Sequence, residues 1–180
     1  MLLDNQRAAQ IIRSLKTIFT DEKSIAQLVR VDELIESVLS IAKPEIVSKR
    51  IQIILDSDPT IELMVNRGEL QQVLLNLINN AIHSLSQLEQ AERHITIRST
   101  HLGDGIEIAV LDNGPGVLPE LQSQLFELFV SDKSSGMGLG LWLCNHIIGR
   151  HGGSIAYSDV AGGGAQFTIR FPKTSLALGA

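Results

Sequence analysis

The sequence predicts an α+β protein built as a two-layer α/β sandwich, with one mixed β-sheet and helices on one of its faces. Segments with helical periodicity alternate with short strand-like segments along most of the chain. Two consecutive strand-like segments, 95–100 and 106–111, alternate apolar and polar residues around a short glycine-containing link, which is typical of a hairpin. Strands joined both by helices and by hairpins indicate a sheet that is part parallel and part antiparallel.

The composition narrows the class of protein. The 180 residues are 44% apolar and 19% charged, with a net charge of −5, which fits one domain of moderate size plus an appendage. Lysine and arginine are scattered, so the basic stripe of a nucleic-acid-binding protein is missing. No apolar run approaches the roughly 18 residues of a membrane span. Cys144 is the single cysteine, which excludes an internal disulfide. We therefore expect a cytoplasmic chain without membrane contact, and a membrane anchor elsewhere in a longer protein is left open.

The first segment, 4–20, has helical spacing. Its apolar residues follow a 3-4-3 spacing and are Ala8, Ile11, Leu15 and Ile18. A stripe this narrow favours a helix that packs against other helices. The alternative is an ordinary surface helix of the globular domain.

The next elements are a helix and two short strands. The helix is predicted to begin near Asp32 as its N-cap, and Pro44 is expected to kink or end it. The strands are predicted over 51–55 and 61–65, with a turn at 56–59 between them.

The remaining elements follow the same alternation of patterns. A third helix carries an apolar face, and a fourth ends at a pair of glycines. In chain order they are helix 68–88 with Asn66 as its N-cap, the hairpin already described, a glycine-rich irregular stretch over 112–135, helix 139–151 stopped by Gly152 and Gly153, and strands 154–158 and 166–171.

The third helix carries an unusual group of amides. Asn76 and Asn80 are four residues apart and share a face, and Asn79 lies beside them. Asparagine is a mediocre helix former, and amides among leucines and isoleucines need hydrogen-bonding partners. Any one of them alone is best explained by a hydrogen bond to a neighbouring loop. The set favours a polar site on an apolar helix face.

A second candidate motif follows the strand over 106–111. Asp112 stands at the strand end, and Gly114 and Gly116 come directly after it. A carboxylate beside glycines indicates a ligand held against the backbone, with Asp112 accepting a hydrogen bond from an amino group. A tight turn explains the same residues and is the better explanation of this motif taken alone.

Glycines also mark the beginning of the fourth helix. Gly136, Gly138 and Gly140 would allow an anion such as phosphate to approach the free N–H groups there, although a flexible hinge has the same pattern. The spacing matches neither the dinucleotide fingerprint nor a P-loop. The segment 117–135 is long for a plain connection and is a candidate lid. Within it, Lys133 is either a phosphate ligand or a solvated surface lysine.

The order of these motifs resembles the four boxes of the GHKL superfamily, which holds the gyrase, Hsp90, histidine kinase and MutL-type ATP-binding domains. The resemblance covers 66–172. Residues 69–81 are similar to the N box of histidine kinases, 112–116 to the G1 box, 125–129 to the F box and 136–141 to the G2 box. It implies a Bergerat-type ATP-binding fold and the cofactors ATP and Mg²⁺.

The resemblance also assigns roles by position. Asn80 would be the side-chain ligand of Mg²⁺, supported by Asn76, and Asp112 would bind the exocyclic amine of adenine. Asn76, Asn80 and Lys133 are the implied catalytic residues. The implied ATP-binding residues are Asn76, Asn79, Asn80, His83, Asp112, Gly114, Gly116, Val117, Phe129, Lys133, Gly136, Gly138, Leu139, Gly140 and Leu141.

The sequence departs from the family pattern after the F box. Leu128 stands where a proline is common, and Ser131 and Asp132 replace a pair of threonines. Asp132 adds negative charge beside Lys133.

Asn76 bears on the type of reaction. Hydrolytic members of the superfamily have a glutamate at this position to activate water, and an amide cannot take a proton at neutral pH. The resemblance therefore implies a histidine autokinase of a two-component system, and disfavours an ATPase and the serine-directed anti-sigma kinases. Its partners would be a phosphoacceptor helical bundle of the same kinase and a response regulator receiver domain, and the full-length protein would be a homodimer. A non-enzymatic nucleotide-binding interaction module is the alternative from another class.

The chain divides into three parts on this interpretation. Residues 1–22 resemble the end of the second helix of the dimerisation and phosphoacceptor bundle, 23–175 the ATP-binding catalytic domain, and 176–180 a tail. No histidine lies in the His-Glu or His-Asp helical motif of an acceptor; the histidines are His83, His94, His101, His146 and His151. We therefore expect a fragment that binds Mg-ATP without phosphorylating itself.

Overall fold

A computed structural model describes residues 25–88, 92–128 and 139–172. The helix predicted over 4–20 and the tail at 176–180 lie outside the described residues. The described elements are, in chain order, β1 (Gln27–Arg30), α1 (Val31–Ser48), β2 (Gln52–Ser57), β3 (Glu62–Val65), α2 (Arg67–Ser86), β4 (His94–Leu102), β5 (Gly105–Asp112), α3 (Pro119–Gln122), α4 (Gly140–Arg150), β6 (Ser154–Asp159) and β7 (Ala165–Phe171).

The main sheet has five strands in the order β2-β4-β5-β7-β6. The β2–β4 pair is parallel, and the other three pairs are antiparallel. The predicted hairpin is the β4–β5 pair, in which Leu102 lies opposite Gly105 and Gly103 adopts a φ of 57°. The predicted mixed sheet and the α+β fold class are confirmed.

Helix α2 is the centre of the helical layer and packs against α1, α4 and strand β5. Asn66 caps it, because its side-chain oxygen accepts a hydrogen bond from the backbone N–H of Glu69 at 3.0 Å. Burying one leucine or isoleucine side chain stabilises the fold by about 2 kcal/mol. The apolar face of α2 therefore holds the helix in place although asparagine is a mediocre helix former. The buried residues of α2 are Leu70, Val73, Leu74, Leu77, Ile78, Ala81, Ile82 and Leu85.

Helix α1 begins earlier than predicted. Its N-cap is Arg30, and Asp32 lies in the first turn, where its carboxylate accepts a hydrogen bond from Arg30 at 2.7 Å. The predicted Asp32 cap is wrong because Val31 is fully buried and the chain must turn before it. Pro44 does not end the helix, which continues to Ser48. Because Pro44 is exposed, its ring and its missing N–H lie on the solvent side of the helix.

Strand β1 was not predicted. It pairs antiparallel with β3 in a separate two-stranded sheet, in which the buried Val29 lies opposite the buried Leu63. The segment predicted over 61–65 therefore forms a strand outside the main sheet. Strand β1 has only four residues with a single buried position, which is too short a pattern to separate from a loop.

Candidate functional site

Helix α2 connects three of the predicted motifs. Strand β5 ends at Asp112, which lies 3.5 Å from Ser84 of α2, and α4 begins at Gly140, beside Asn76 of the same helix. Helix α2 packs against both β5 and α4. The hydrophobic face of α2 thus determines where its polar residues stand relative to the other two motifs.

Asp112 is a buried carboxylate, with 5% of its surface exposed. Its Oδ1 accepts a hydrogen bond from the backbone N–H of Gly114 at 2.8 Å and lies 3.5 Å from the hydroxyl oxygen of Ser84. Burial raises the pKa of Asp112, and hydrogen bonds from the backbone N–H groups of Gly114 and Ala165 oppose this rise. A carboxylate held in this way is a strong acceptor for a donor group of a ligand.

Glycines allow the backbone to close around Asp112. A Cβ at Gly114 would lie 2.3 Å from the hydroxyl of Ser84 and 2.6 Å from Oδ1 of Asp112. A Cβ at Gly164, where φ is 116°, would lie 1.9 Å from the carbonyl oxygen of Asp112. Gly116 has a φ of 76° and approaches the same Gly164. A larger residue at Gly164 would require movement of the backbone, and one at Gly114 would require the side chains of Ser84 and Asp112 to move.

The loop after Gly116 is held by strand β6. The N–H of Val117 donates to the hydroxyl of Tyr157 at 3.2 Å, and this hydroxyl donates to Asp159 at 2.5 Å. Burial, together with the hydrogen bond to Asp159, raises the pKa of Tyr157 to about 12, so the phenol stays protonated. Gln122 donates to the carbonyl of Val117 at 3.0 Å. Val117 is thus fixed at the edge of the candidate site.

The asparagines of α2 differ in environment. Asn76 and Asn79 are partly buried, whereas Asn80 is exposed. The Nδ2 of Asn76 donates to the Sγ of Cys144 in α4 at 3.8 Å, and a Cβ at Gly140 would lie 4.0 Å from the amide carbon of Asn76. Asn76 therefore lies against the first turn of α4, and Asn80 faces solvent one turn further along α2.

His83 is exposed near the C-terminal end of α2, and its Nε2 lies 2.8 Å from the side-chain nitrogen of Gln87. Leu139 is the N-cap of α4, and Gly140 and Leu141 are its first residues, all partly buried. The remaining predicted site residues lie outside the described residues; they are Phe129, Lys133, Gly136 and Gly138.

Sequence reasoning missed three residues of this site. Ser84 lies four residues after Asn80, so the helical repeat is the signal that could have found it. Gly164 ends a run of glycines but approaches Asp112 only through the fold. Cys144 is fully buried and contacts Asn76, and nothing in its own segment indicates this contact.

The described residues contain no group of three or more histidine, cysteine, aspartate or glutamate side chains able to hold a metal ion. A cation at this site would therefore depend on an amide such as Asn80 and on oxygen atoms of the ligand, which suits Mg²⁺. Within the same residues, no helix is both long and apolar enough to cross a membrane.

Residues 65–175 match the protein family described as "Histidine kinase-, DNA gyrase B-, and HSP90-like ATPase". The C4-dicarboxylate transport sensor protein DctS of Rhodobacter capsulatus is 32% identical over 170 residues, which are 93% of this chain and 26% of DctS. The sensor protein FixL of Bradyrhizobium diazoefficiens is 32% identical over 167 residues, 92% of this chain and 33% of FixL. The chain thus spans about a quarter to a third of these relatives.

Solved structures give the same answer for the fold. The catalytic domain of the histidine kinase ThkA superposes with a TM-score of 0.73 at 28% identity, over 82% of this chain and 95% of that one. The histidine kinase AdeS of Acinetobacter baumannii has a TM-score of 0.75 at 25% identity, over 96% and 81%. ThkA in complex with the response regulator protein TrrA has a TM-score of 0.74 at 25% identity, over 95% and 49%.

Proposed function

The chain belongs to the family of histidine kinase-, DNA gyrase B- and HSP90-like ATPases, so it carries a nucleotide-binding domain, and we propose that this domain binds Mg-ATP and transfers its γ-phosphate to a histidine on a helical bundle. The observation that carries the proposal is the buried carboxylate of Asp112 beside a helix that bears asparagines. Asp112 offers an acceptor to the exocyclic amine of adenine, and the backbone N–H of Gly114 holds that carboxylate in place. Guanine carries a carbonyl where adenine carries that amine, so the pocket selects ATP.

Residues of α2 and α4 would hold the triphosphate. Asn80 is the proposed ligand of Mg²⁺, since its exposed amide can reach a cation that keeps most of its waters and takes other ligands from phosphates. The cation neutralises phosphate charge when bound. Asn76 and Asn79 extend the polar face, and His83 adds a donor one turn beyond. The N-terminal N–H groups of α4, near Gly140 and Leu141, favour phosphate.

The types of residue on α2 favour transfer to another protein over hydrolysis. Glu69 is the one carboxylate of this helix, and it lies three turns before Asn80, where it accepts a hydrogen bond from His151 at 2.7 Å. Asn76 occupies the turn before Asn80, and an amide cannot accept a proton from water. Phosphoryl transfer needs positioning and charge neutralisation rather than a base for water, and α2 carries no such base in the turn before Asn80.

The acceptor histidine is proposed to lie on a phosphoacceptor bundle of the same kinase, with 1–22 as the end of its second helix, 23–175 as the catalytic domain and 176–180 as a tail. Such kinases pass phosphate to a receiver domain, and ThkA, to which this chain is similar, forms a complex with a response regulator protein. We propose a response regulator as the second partner, a homodimer as the full-length form, and the cytoplasm, where ATP is available, as the location.

A trans-phosphorylation assay tests the proposal. The chain is mixed with a separately produced bundle of the same kinase, Mg²⁺ and γ-labelled ATP. We expect phosphate on the bundle that is labile in acid and stable in base, and none on the chain itself. An Asn80→Ala variant should give no transfer, and an exposed Asn145→Ala variant on α4 should match the wild type. ATP binding without any transfer would show a nucleotide-binding module, and steady release of free phosphate would show an ATPase.

A further inference from the structure

The contact between Asn76 and Cys144 links the two helices that build the site. Cys144 is fully buried on α4, and its Sγ lies 3.8 Å from the amide nitrogen of Asn76 and 3.8 Å from the backbone carbonyl oxygen of Val73, both on α2. These distances are within the range of hydrogen bonds that involve sulfur.

The thiol has one proton, and the geometry decides where it goes. The carbonyl oxygen of Val73 can only accept, so the S–H of Cys144 donates to it. The sulfur lone pairs are then the groups that face Asn76, and a lone pair requires a donor. The NH₂ end of the amide satisfies this requirement, and the C=O end does not. Burial raises the pKa of Cys144 to about 12, so the proton remains on sulfur at neutral pH.

We propose that Cys144 is a positioning residue that fixes the amide of Asn76 with its carbonyl oxygen presented to the bound nucleotide. The inference rests on the proposed function and adds to it the orientation of Asn76 and the residue that sets it. In the described part of the chain, the carbonyl oxygen of Asn76 accepts no hydrogen bond, so it is available as an acceptor. An acceptor suits Mg²⁺ or the water molecules around it, because phosphate oxygens are themselves acceptors.

The orientation makes the effect of Cys144 depend on the metal. Valine in place of Cys144 is somewhat larger and offers no lone pair, so the NH₂ of Asn76 loses its partner and the amide is free to turn. We expect the affinity of Cys144→Val for Mg-ATP to fall about fivefold, the worth of one ordinary hydrogen bond. Its affinity for ATP in the presence of a chelator should stay that of the wild type. Cys144→Ser keeps a donor and lone pairs, and its affinity should be closer to the wild type than that of Cys144→Val.

Calorimetric titration of the 180-residue chain with ATP, with and without Mg²⁺, measures these affinities. Ile147→Val is the matched control, since it trims a buried residue of the same helix and should leave both affinities unchanged. The Cys144→Val change is repeated in an Asn76→Ala background, where it should have no further effect, because two residues that act through one contact are not additive.

The outcomes separate this inference from the proposed function. A wild-type chain that binds no Mg-ATP contradicts both. A wild type that binds, together with an unchanged Cys144→Val, contradicts the positioning role alone. A loss that persists in the Asn76→Ala background, or that appears equally with the chelator, is a packing effect and also overturns it. If Cys144→Val does not fold, Cys144→Ala and Cys144→Ser are compared in the same way, and equal affinities for Mg-ATP would overturn the role.

Discussion

Asp112 is a buried carboxylate whose charge contributes little to the stability of the protein without nucleotide. Burial disfavours the ionised form, and the neighbouring N–H groups compensate only in part. We expect Asp112→Asn to weaken ATP binding by about 10- to 100-fold, the worth of a charged hydrogen bond. Without nucleotide the variant should unfold at the same or a higher temperature than the wild type, because a buried charge is removed. Calorimetry measures the ATP affinity, and thermal denaturation measures the unfolding temperature without nucleotide. A lower unfolding temperature in the variant would contradict the expected effect on stability.

The same pKa predicts how ATP binding depends on pH. Only the ionised carboxylate is purely an acceptor, so the affinity should fall as the pH falls through the pKa of Asp112, which lies above the ordinary value for an aspartate. The contribution of this group to folding has the opposite dependence. Because the pKa of Asp112 is higher in the folded protein than in the unfolded chain, Asp112 contributes stability at low pH. This contribution is complete below the pKa of the unfolded chain and is lost as the pH rises through the pKa of the folded protein. Titrations with ATP at several pH values should show the loss of affinity in the wild type and not in Asp112→Asn.

Gly114 is required by a contact between two elements that are distant in sequence. An added methyl group would meet the hydroxyl of Ser84 and the carboxylate of Asp112. We expect Gly114→Ala to lower ATP affinity at least tenfold, because these two side chains must move and Asp112 loses its alignment. Removing the hydroxyl with Ser84→Ala should restore part of the affinity in the double variant. An equal loss in the single and double variants, measured by calorimetry, would show that the backbone rather than Ser84 is displaced.

The sequence predicts the site residues that belong to one short motif. Asp112, Gly114 and Gly116 form one short motif, and their predicted arrangement at the end of a strand is confirmed by the structure. Ser84 and Gly164 reach Asp112 through folding, and neither is chemically unusual in its own segment. Their parts in the site follow only from the packing of α2 and the closing β6–β7 hairpin on β5.

Helices α2 and α4 are tied together at the end remote from Asn80. Glu69, in the first turn of α2, accepts a hydrogen bond from His151 at 2.7 Å and lies 3.5 Å from Arg150, both at the end of α4. Since Glu69 and His151 are largely buried, their coupling should exceed that of a surface pair. We expect a double-mutant cycle of Glu69→Gln and His151→Ala to give about 1 kcal/mol of coupling in the free energy of unfolding.

The exposed pair of Arg170 and Glu107 is the comparison for this cycle. Its nitrogen and oxygen lie 2.8 Å apart, but the Arg170 side chain is 59% exposed, so its coupling should lie near the low end of surface pairs, about 0.3 kcal/mol. Urea denaturation of the variants measures both cycles. Equal couplings would show that burial of the Glu69 pair adds nothing.

Elements with long, regular patterns were predicted well, and short ones were not. Helices α2 and α4 and the β4–β5 hairpin lie within two residues of their predicted ends, because periodicity over many residues dominates local preferences. Strand β1 and the first residue of α1 depend on the burial of Val29 and Val31 in a core that is assembled from distant segments. Asp32 is a good N-cap by residue type, and tertiary packing of Val31 overrode that preference.

The molecule as a whole should report nucleotide binding through its stability. A ligand that binds only the folded state at 100 times its Kd adds about 2.7 kcal/mol to the free energy of unfolding. For a chain of this size that corresponds to a rise of about 5–10 °C in Tm. The wild type should show this rise with Mg-ATP.

The Asn80→Ala variant should lose the rise in Tm with Mg-ATP. Without nucleotide, the Tm of the variant should stay that of the wild type or rise slightly, since Asn80 is exposed and alanine is the better helix former. Thermal denaturation with and without Mg-ATP measures both values. A full rise in Asn80→Ala would contradict the proposed role of Asn80 as the metal ligand. It would leave the proposed role of Asp112 to its own test, because Asn80 lies on α2 and Asp112 at the end of β5, and the two are proposed to bind different ends of the nucleotide.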